Sequence, residues 1–274
     1  MGGVLKADFK RVLKDKLLLI MGIIALVLAA ITPLSYVALF SGMESTESEM
    51  LEQLVGLSAK EQFFSSFSIG NNMGLIAPIF LAIVLCKDFS FGTVRNKIIS
   101  GKSRTQIYMS LFTTCATVLI GVLLLHAFAT LGIALIFFDY QAAPFTMADF
   151  GYFLASLGLS ILMLLWVAAL LSWLCASMKN VGLVIVLYFA FTFILALVGS
   201  IMQMVIPIVE AVGSERTLSI LRTIDRLNVT SNAYYIGRSS YTLRDILYLT
   251  LPALAGILGF TGLGLLKFNK KDLK

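Results

Sequence analysis

Charge is what this sequence has least of. Only 13% of its 274 residues are Asp, Glu, Lys or Arg, about half the roughly 25% of a soluble domain. That deficit excludes an ordinary soluble fold of this length. With 59% hydrophobic residues and a mean hydropathy of +0.94, it places the chain in a bilayer. Histidine occurs once, as His126, and cysteine three times, as Cys86, Cys115 and Cys175. No Cys/His pair has metal-ligand spacing, so no metal is expected. No H-E-x-x-H, paired carboxylates or Gly-x-Ser-x-Gly pattern marks an intramembrane enzyme. Three scattered cysteines read as reduced, buried small hydrophobes rather than disulfides. No internal repeat or low-complexity tract is visible.

What is present is a set of long apolar runs. Crossing about 30 Å of hydrocarbon at 1.5 Å per residue takes about 20 residues. The stretches 17–40, 63–86, 111–138, 151–176, 181–208 and 246–266 qualify, and none holds an Asp, Glu, Lys or Arg in its interior. The expected fold is therefore an all-α integral membrane domain of six transmembrane helices occupying the whole of 1–274. The first run is too long, and lacks the small-x-small site, for a cleaved signal peptide.

Charge sets the expected orientation. With both termini cytoplasmic, the inner flanks hold Lys6, Lys10, Arg11, Lys14, Lys16, Lys87, Arg95, Lys97, Lys102, Arg104, Lys179, Lys267, Lys270, Lys271 and Lys274. These are fifteen of the 21 basic residues. Of the 15 acids, only Asp8, Asp15, Asp88 and Asp272 lie there. The positive-inside rule then gives an N-in, C-in protein of the cell membrane. The net charge of +6 belongs to flanks facing anionic lipid, and nucleic acid is not an expected partner.

The connections carry their own patterns. In residues 1–16, Leu5, Phe9, Val12 and Leu13 share a helical face and Lys6, Lys10 and Lys14 another, which suits an interfacial helix as well as a plain basic flank. The first outer loop allows a short surface helix around Met50, Leu51, Leu54, Val55 and Leu57. The Lys179–Asn180 turn should make spans four and five a tight hairpin. In 209–245, Leu218, Leu221 and Ile224 recur at helical spacing opposite Arg216, Arg222 and Arg226, after a Ser214 cap. Tyr234, Tyr235 and Tyr241 follow. A helical, re-entrant segment before the last span is expected there.

Residues 87–110 include Gly101-Lys102-Ser103, the last three letters of a phosphate-binding loop. The pattern needs a glycine at position 96, where Asn96 stands, and a preceding buried strand. No nucleotide site is expected in this chain. The segment instead reads as a basic amphipathic connector: Phe91, Val94, Ile98 and Ile99 make an apolar stripe beside Arg95 and Lys97, and Gly101 permits a helix stop. It could equally be a basic loop held by lipid.

The run Asp88-Phe89-Ser90-Phe91-Gly92-Thr93, closed by Ser103-Arg104, resembles the cytoplasmic connector of the ABC-2 family of transporter membrane subunits, of the type V exporter kind. Asp88 stands where Glu is usual, Gly101-Lys102 where Pro is frequent, and Ser110 near a frequent Lys. The resemblance covers about 20 residues in sequence and the whole chain in architecture. It implies a permease that pairs with a second copy or a paralogue and recruits two separate ATP-binding subunits. The permease itself would bind no cofactor, with ATP and Mg²⁺ on the partner, and would perform no chemistry. Asp88, Gly92, Thr93, Val94, Arg95, Ile98, Ile99 and Arg104 would then form the coupling helix and its flanks, docked in the ATPase.

Cargo leaves a fainter trace. His126 is the one ionisable side chain within the runs, either a neutral histidine bonded to a neighbouring helix or a proton relay. Ser65, Ser66, Ser68, Asn71 and Asn72 make part of span two polar, as pore lining or as glue between helices. Ser68, Asn71, Asn72 and His126 are the candidate substrate path. A path so poor in charge suits amphipathic or hydrophobic cargo, with a toxic or antimicrobial peptide favoured. The alternative is a secondary transporter or channel with no ATPase, for which paired intramembrane charges or broken helices would be expected.

Overall fold

The computed structural model describes residues 2–40, 58–68, 72–90, 93–138, 146–178, 180–233, 235–237 and 241–270. Among these, the regular structure is helical: α1 (Gly2–Leu13), α2 (Lys16–Phe40), α3 (Ala59–Ser65), α4 (Asn72–Ser90), α5 (Thr93–Ile99), α6 (Arg104–Phe137), α7 (Met147–Ser177), α8 (Val181–Val212), α9 (Glu215–Leu227), α10 (Val229–Ala233) and α11 (Leu243–Lys270). Helices satisfy their own backbone groups, which hydrocarbon cannot do for them. Among the described residues α2, α6, α7, α8 and α11 are each long and apolar enough to cross a membrane. Ile76–Phe89 and Thr93–Ile99, bent by 47°, make a sixth candidate when taken together. The chain is an all-helical, multi-pass membrane protein.

The bundle is organised around α7. Of its most apolar window 61% is buried, against 11% for α8, so α7 is central and α8 peripheral. Helix α11 makes the most extensive contact with α7, and α2 lies along α6. Two glycines allow the close approach of α11. A Cβ at Gly256 would overlap the Trp166 indole, and one at Gly264 the Tyr108 hydroxyl. Phe260 adds an edge-on contact to Trp166 and a stacked one to Trp173.

One expected span differs. The stretch 63–86 is not a single helix: α3 ends at Ser65 and α4 begins at Asn72. Serine hydroxyls explain the end of α3, because they compete for backbone acceptors. Ser65 Oγ donates to Gln62 O at 3.0 Å and Ser66 Oγ to Phe63 O at 2.6 Å. Beyond them, Ser68 Oγ donates to Ala233 O at 3.0 Å, and Ser160 Oγ donates to Phe67 O at 2.6 Å. The chain is thus tied to α10 and α7 where the helix stops. Pro33 and Pro78 lie inside α2 and α4, which stay helical through them.

Other expectations meet their counterparts. Ser214 caps α9, accepting from Thr217 N at 3.3 Å, with Glu215 in the first turn. Three residues join α7 to α8, and Asn180 caps the latter by accepting from Leu183 N. The surface helix expected around Met50–Leu57 lies outside the described residues, as does Lys179.

Candidate functional site

The residues expected to carry function gather at the end of the bundle where α1, α5 and the start of α6 meet. Helix α1 carries three stripes, each one residue, or about 100°, round from the next. Val4, Asp8 and Val12 are buried, and α1 packs on α6. Leu5, Phe9 and Leu13 form the second stripe, with Leu13 exposed. Lys6, Lys10 and Lys14 form the third, all exposed. The helix thus offers the protein one face, an apolar edge beside it, and water a basic face. This corrects one detail of the sequence reading: Val12 belongs to the protein-facing stripe, and an aspartate sits in the middle of that stripe.

Asp8 is buried because its needs are met. Lys97 Nζ of α5 donates to Oδ1 at 2.5 Å and Ser110 Oγ of α6 to Oδ2 at 2.7 Å. Asp88, fully buried at the end of α4, is paired with Arg11, whose Nη2 donates to Oδ2 at 2.5 Å and whose Nη1 lies against Oδ1 as an ion pair. Lys87 Nζ reaches Asp15 at 3.1 Å. Three acids thus meet three bases, and α1, α4, α5 and α6 are joined by charge-assisted bonds of the stronger kind. Leu17 N, donating at 3.0 Å, and then Lys87 hold the Asp15 carboxyl below its usual range, against partial burial. Burial pushes the Lys97 ammonium down, and Asp8 opposes that shift.

Helix α5 is mounted on this network. Its end is built by Gly101, which has φ +81°. Gly101 N donates to Ile98 O at 2.9 Å and Lys102 N to Lys97 O at 3.2 Å, the paired bonds of a Schellman stop. Ser103 then caps α6, accepting from Gln106 N at 3.2 Å. Arg104 Nη1 donates to Phe268 O at 3.1 Å and to Asn269 O at 2.9 Å, answering carbonyls that the end of α11 would otherwise leave unpaired. Both letters of the Ser103-Arg104 pair have local structural work.

The eight connector residues therefore separate. Asp88 and Val94 are buried and face their own chain, Ile98 is half-buried against the core, and Arg104 is turned to α11. None of these four is an outward contact in this conformation. Arg95 is exposed, Ile99 is 73% exposed, and Thr93 is half-buried at the start of α5. Gly92 lies outside the described residues. Lys6, Lys10, Lys14, Lys16, Arg95, Lys102, Lys267 and Lys270 are all exposed, whereas Asp8 and Asp88 are buried. The surface at this end is consequently more basic than its composition.

Sequence reasoning missed Asp8, Arg11, Lys97 and Ser110 as partners. A signal was available: an aspartate at the i+4 position between Val4 and Val12 puts an acid on an apolar, inward face. Its donors could not be read, because they come from α5 and α6, about 90 and 100 residues away.

Of the candidate substrate path, the side chains of Ser68 and His126 are described, and each is engaged within the bundle. Ser68 is buried and bonded to Ala233 O. His126 is buried, its Nδ1 3.1 Å from Ala25 O on α2, and Thr130 Oγ1 donates to the His126 carbonyl. A carbonyl can only accept, so Nδ1 carries the proton in that contact. Asn71 and the Asn72 side chain lie outside the described residues. Cys86, Cys115 and Cys175 are buried and not in disulfides, with Cys86 Sγ 2.9 Å from Cys175 Sγ. Among the described residues no three His, Cys, Asp or Glu side chains are placed to hold a metal ion. The chain matches no protein-family model and no curated protein.

Proposed function

We propose that this chain is the membrane subunit of an ATP-driven ABC exporter, with both termini and α5 on the cytoplasmic side and ATP hydrolysis on separate partner subunits. The observation that carries the proposal is the mounting of α5. A seven-residue helix presents Arg95 and Ile99 outward while Lys97 and Val94 fasten it to the bundle. A partner that pulls on Arg95 and Ile99 moves α1 and α6 through Asp8 and Ser110, rather than flexing a loop. A short helix with one apolar and one basic contact suits insertion into a groove. The exposed basic surface suits an acidic groove rim or anionic lipid around it.

The dimeric assembly, with a second copy or a paralogue, belongs to the same proposal. So does the cargo: amphipathic or hydrophobic molecules, peptides favoured, moved without a charged intramembrane relay. His126, held by a backbone carbonyl, supports a structural role there. Residues 209–245 would form the outer, re-entrant segment at the exit.

The test is co-purification from the native cell. A soluble ATP-binding subunit should accompany the wild-type chain and be lost with Arg95→Glu/Ile99→Glu, two exposed positions whose change leaves the packing of α5 intact. Ile98→Glu is a poorer probe, since Ile98 packs on the core. Retention of the ATPase by the double variant would overturn the docking role of α5. A folded wild-type chain with no ATPase would favour a secondary transporter or channel, for which the interruption between α3 and α4 is the supporting observation.

A further inference from the structure

The opposite end of the bundle holds a cavity of about 270 Å³ between α8, α9 and α11. Asp225 lines it from the inward face of α9, which also carries Leu218 and Leu221. Only 8% of Asp225 is exposed, and its Oδ1 is buried without a hydrogen-bond donor. A buried carboxylate oxygen left unanswered is costly, and an acid on the apolar face of a helix asks for a reason.

The other charges around the cavity have engagements of their own. Arg222 donates to Glu210 at 2.8 Å, and the Arg226 guanidinium stacks 4.5 Å from the centre of the Tyr248 ring. Asp245 accepts from Thr242 N at 3.1 Å and from Thr242 Oγ1 at 2.6 Å. The walls are also fixed. Asn232 donates to Arg226 O at 2.8 Å, and Tyr241 Oη accepts from Gly237 N at 2.7 Å. Tyr235 and Tyr241 line the same space.

We infer that this cavity is a binding site for a primary alkylammonium group, whose N–H donates to Asp225 while its methylenes lie against the tyrosines. The demand is for a point donor with an apolar stem, which an ammonium meets and a forked guanidinium does not. Aromatic groups beside it favour a cation. A hard metal ion would need about six or more oxygens, and an anion would meet Asp225 and Asp245. The ammonium could belong to an amine-bearing lipid headgroup or to a soluble amine, a lysine side chain included. The site needs no ATPase to bind.

Hexylammonium chloride titrated into the purified full chain, by calorimetry, tests the inference. Saturable binding is expected, with 1-hexanol, its uncharged counterpart, bound about tenfold or more weakly. Asp225→Asn should reduce hexylammonium affinity by about the same factor, in a variant that melts no lower than wild type. Equal binding of hexanol and hexylammonium to the wild-type chain, or no saturable binding, would overturn the inference, and neither result depends on a variant folding. Loss of affinity in phosphatidylethanolamine relative to phosphatidylcholine nanodiscs would identify a lipid headgroup as the natural source. Equal affinity in both would identify a soluble amine.

Discussion

Two aspartates at the α1–α5 end and one on α9 are buried in opposite ways. At the α1–α5 end, Asp8 and Asp88 are each met by a base from another helix, and Asp8 by a hydroxyl as well. At the α9 end, Asp225 is comparably buried and its Oδ1 has no donor. Burial of a charge is costly in either place. Where partners meet it, the acid serves to set the relative position of helices. Where none does, it remains a demand that something outside the chain can answer. Burial alone does not separate a structural acid from a binding one, whereas the set of donors does.

The largest break in that comparison comes from turning a satisfied acid into an unsatisfied one. Arg11→Ala leaves Asp88 fully buried and without its base, a loss that costs about 3–5 kcal/mol for buried pairs. The variant should melt far below wild type in detergent. Asp88→Asn should cost less, about 1–3 kcal/mol, because Arg11 is 39% exposed and can turn to water. The pair Arg11→Met/Asp88→Leu should recover most of the loss, since apolar replacements of buried ion pairs are often neutral. If Arg11→Ala melts like wild type, the mounting of α1 on α4 has been misassigned.

Much of the fold was legible because the bilayer imposes length. The apolar runs 17–40, 151–176, 181–208 and 246–266 lie within single helices, and 111–138 ends one residue beyond α6. The failure at 63–86 has a physical cause: hydropathy sums over Ser65, Ser66 and Ser68 without knowing that their hydroxyls have carbonyls to reach. Ala233 and Ser160, which hold that interruption, are distant in sequence. Gly101 and Ser103 were readable as a stop and a start because caps are local. Asp88 was readable as part of a motif, but its role was not. Only Arg11, 77 residues away, turns it from an outward contact into an anchor.

A change at Asp225 should carry the opposite sign to one at Asp88. Removing the charge from a carboxylate whose buried Oδ1 is unanswered relieves a desolvation cost of about 1–3 kcal/mol, so Asp225→Asn should raise the melting temperature or leave it unchanged in detergent without amine. Saturating hexylammonium should then stabilise wild type and leave the variant unmoved, since a ligand stabilises only the state it binds. A lower melting point for Asp225→Asn would mean that the carboxylate has a donor within the chain.

The smallest effect belongs to Asp15, the half-exposed acid of the α1–α5 end. Its carboxyl is held below the usual aspartate range, first by Leu17 N–H and then by Lys87. A depressed folded pKa makes the contribution fully present above the unfolded value and lost as pH falls through the folded one. The window is therefore below about pH 4. Asp15 and Lys87 are 28% and 39% exposed, so solvent screening limits the effect to about 1 kcal/mol or less. Between pH 7 and pH 5, Asp15→Asn and wild type should differ by a constant offset, and below pH 4 the two melting curves should converge. Arg11→Ala would show no such convergence from this site, since it leaves the Leu17 and Lys87 contacts to Asp15 in place. Persistence of the offset at the acid end would show that Asp15 acts by packing the turn between α1 and α2 and not by charge.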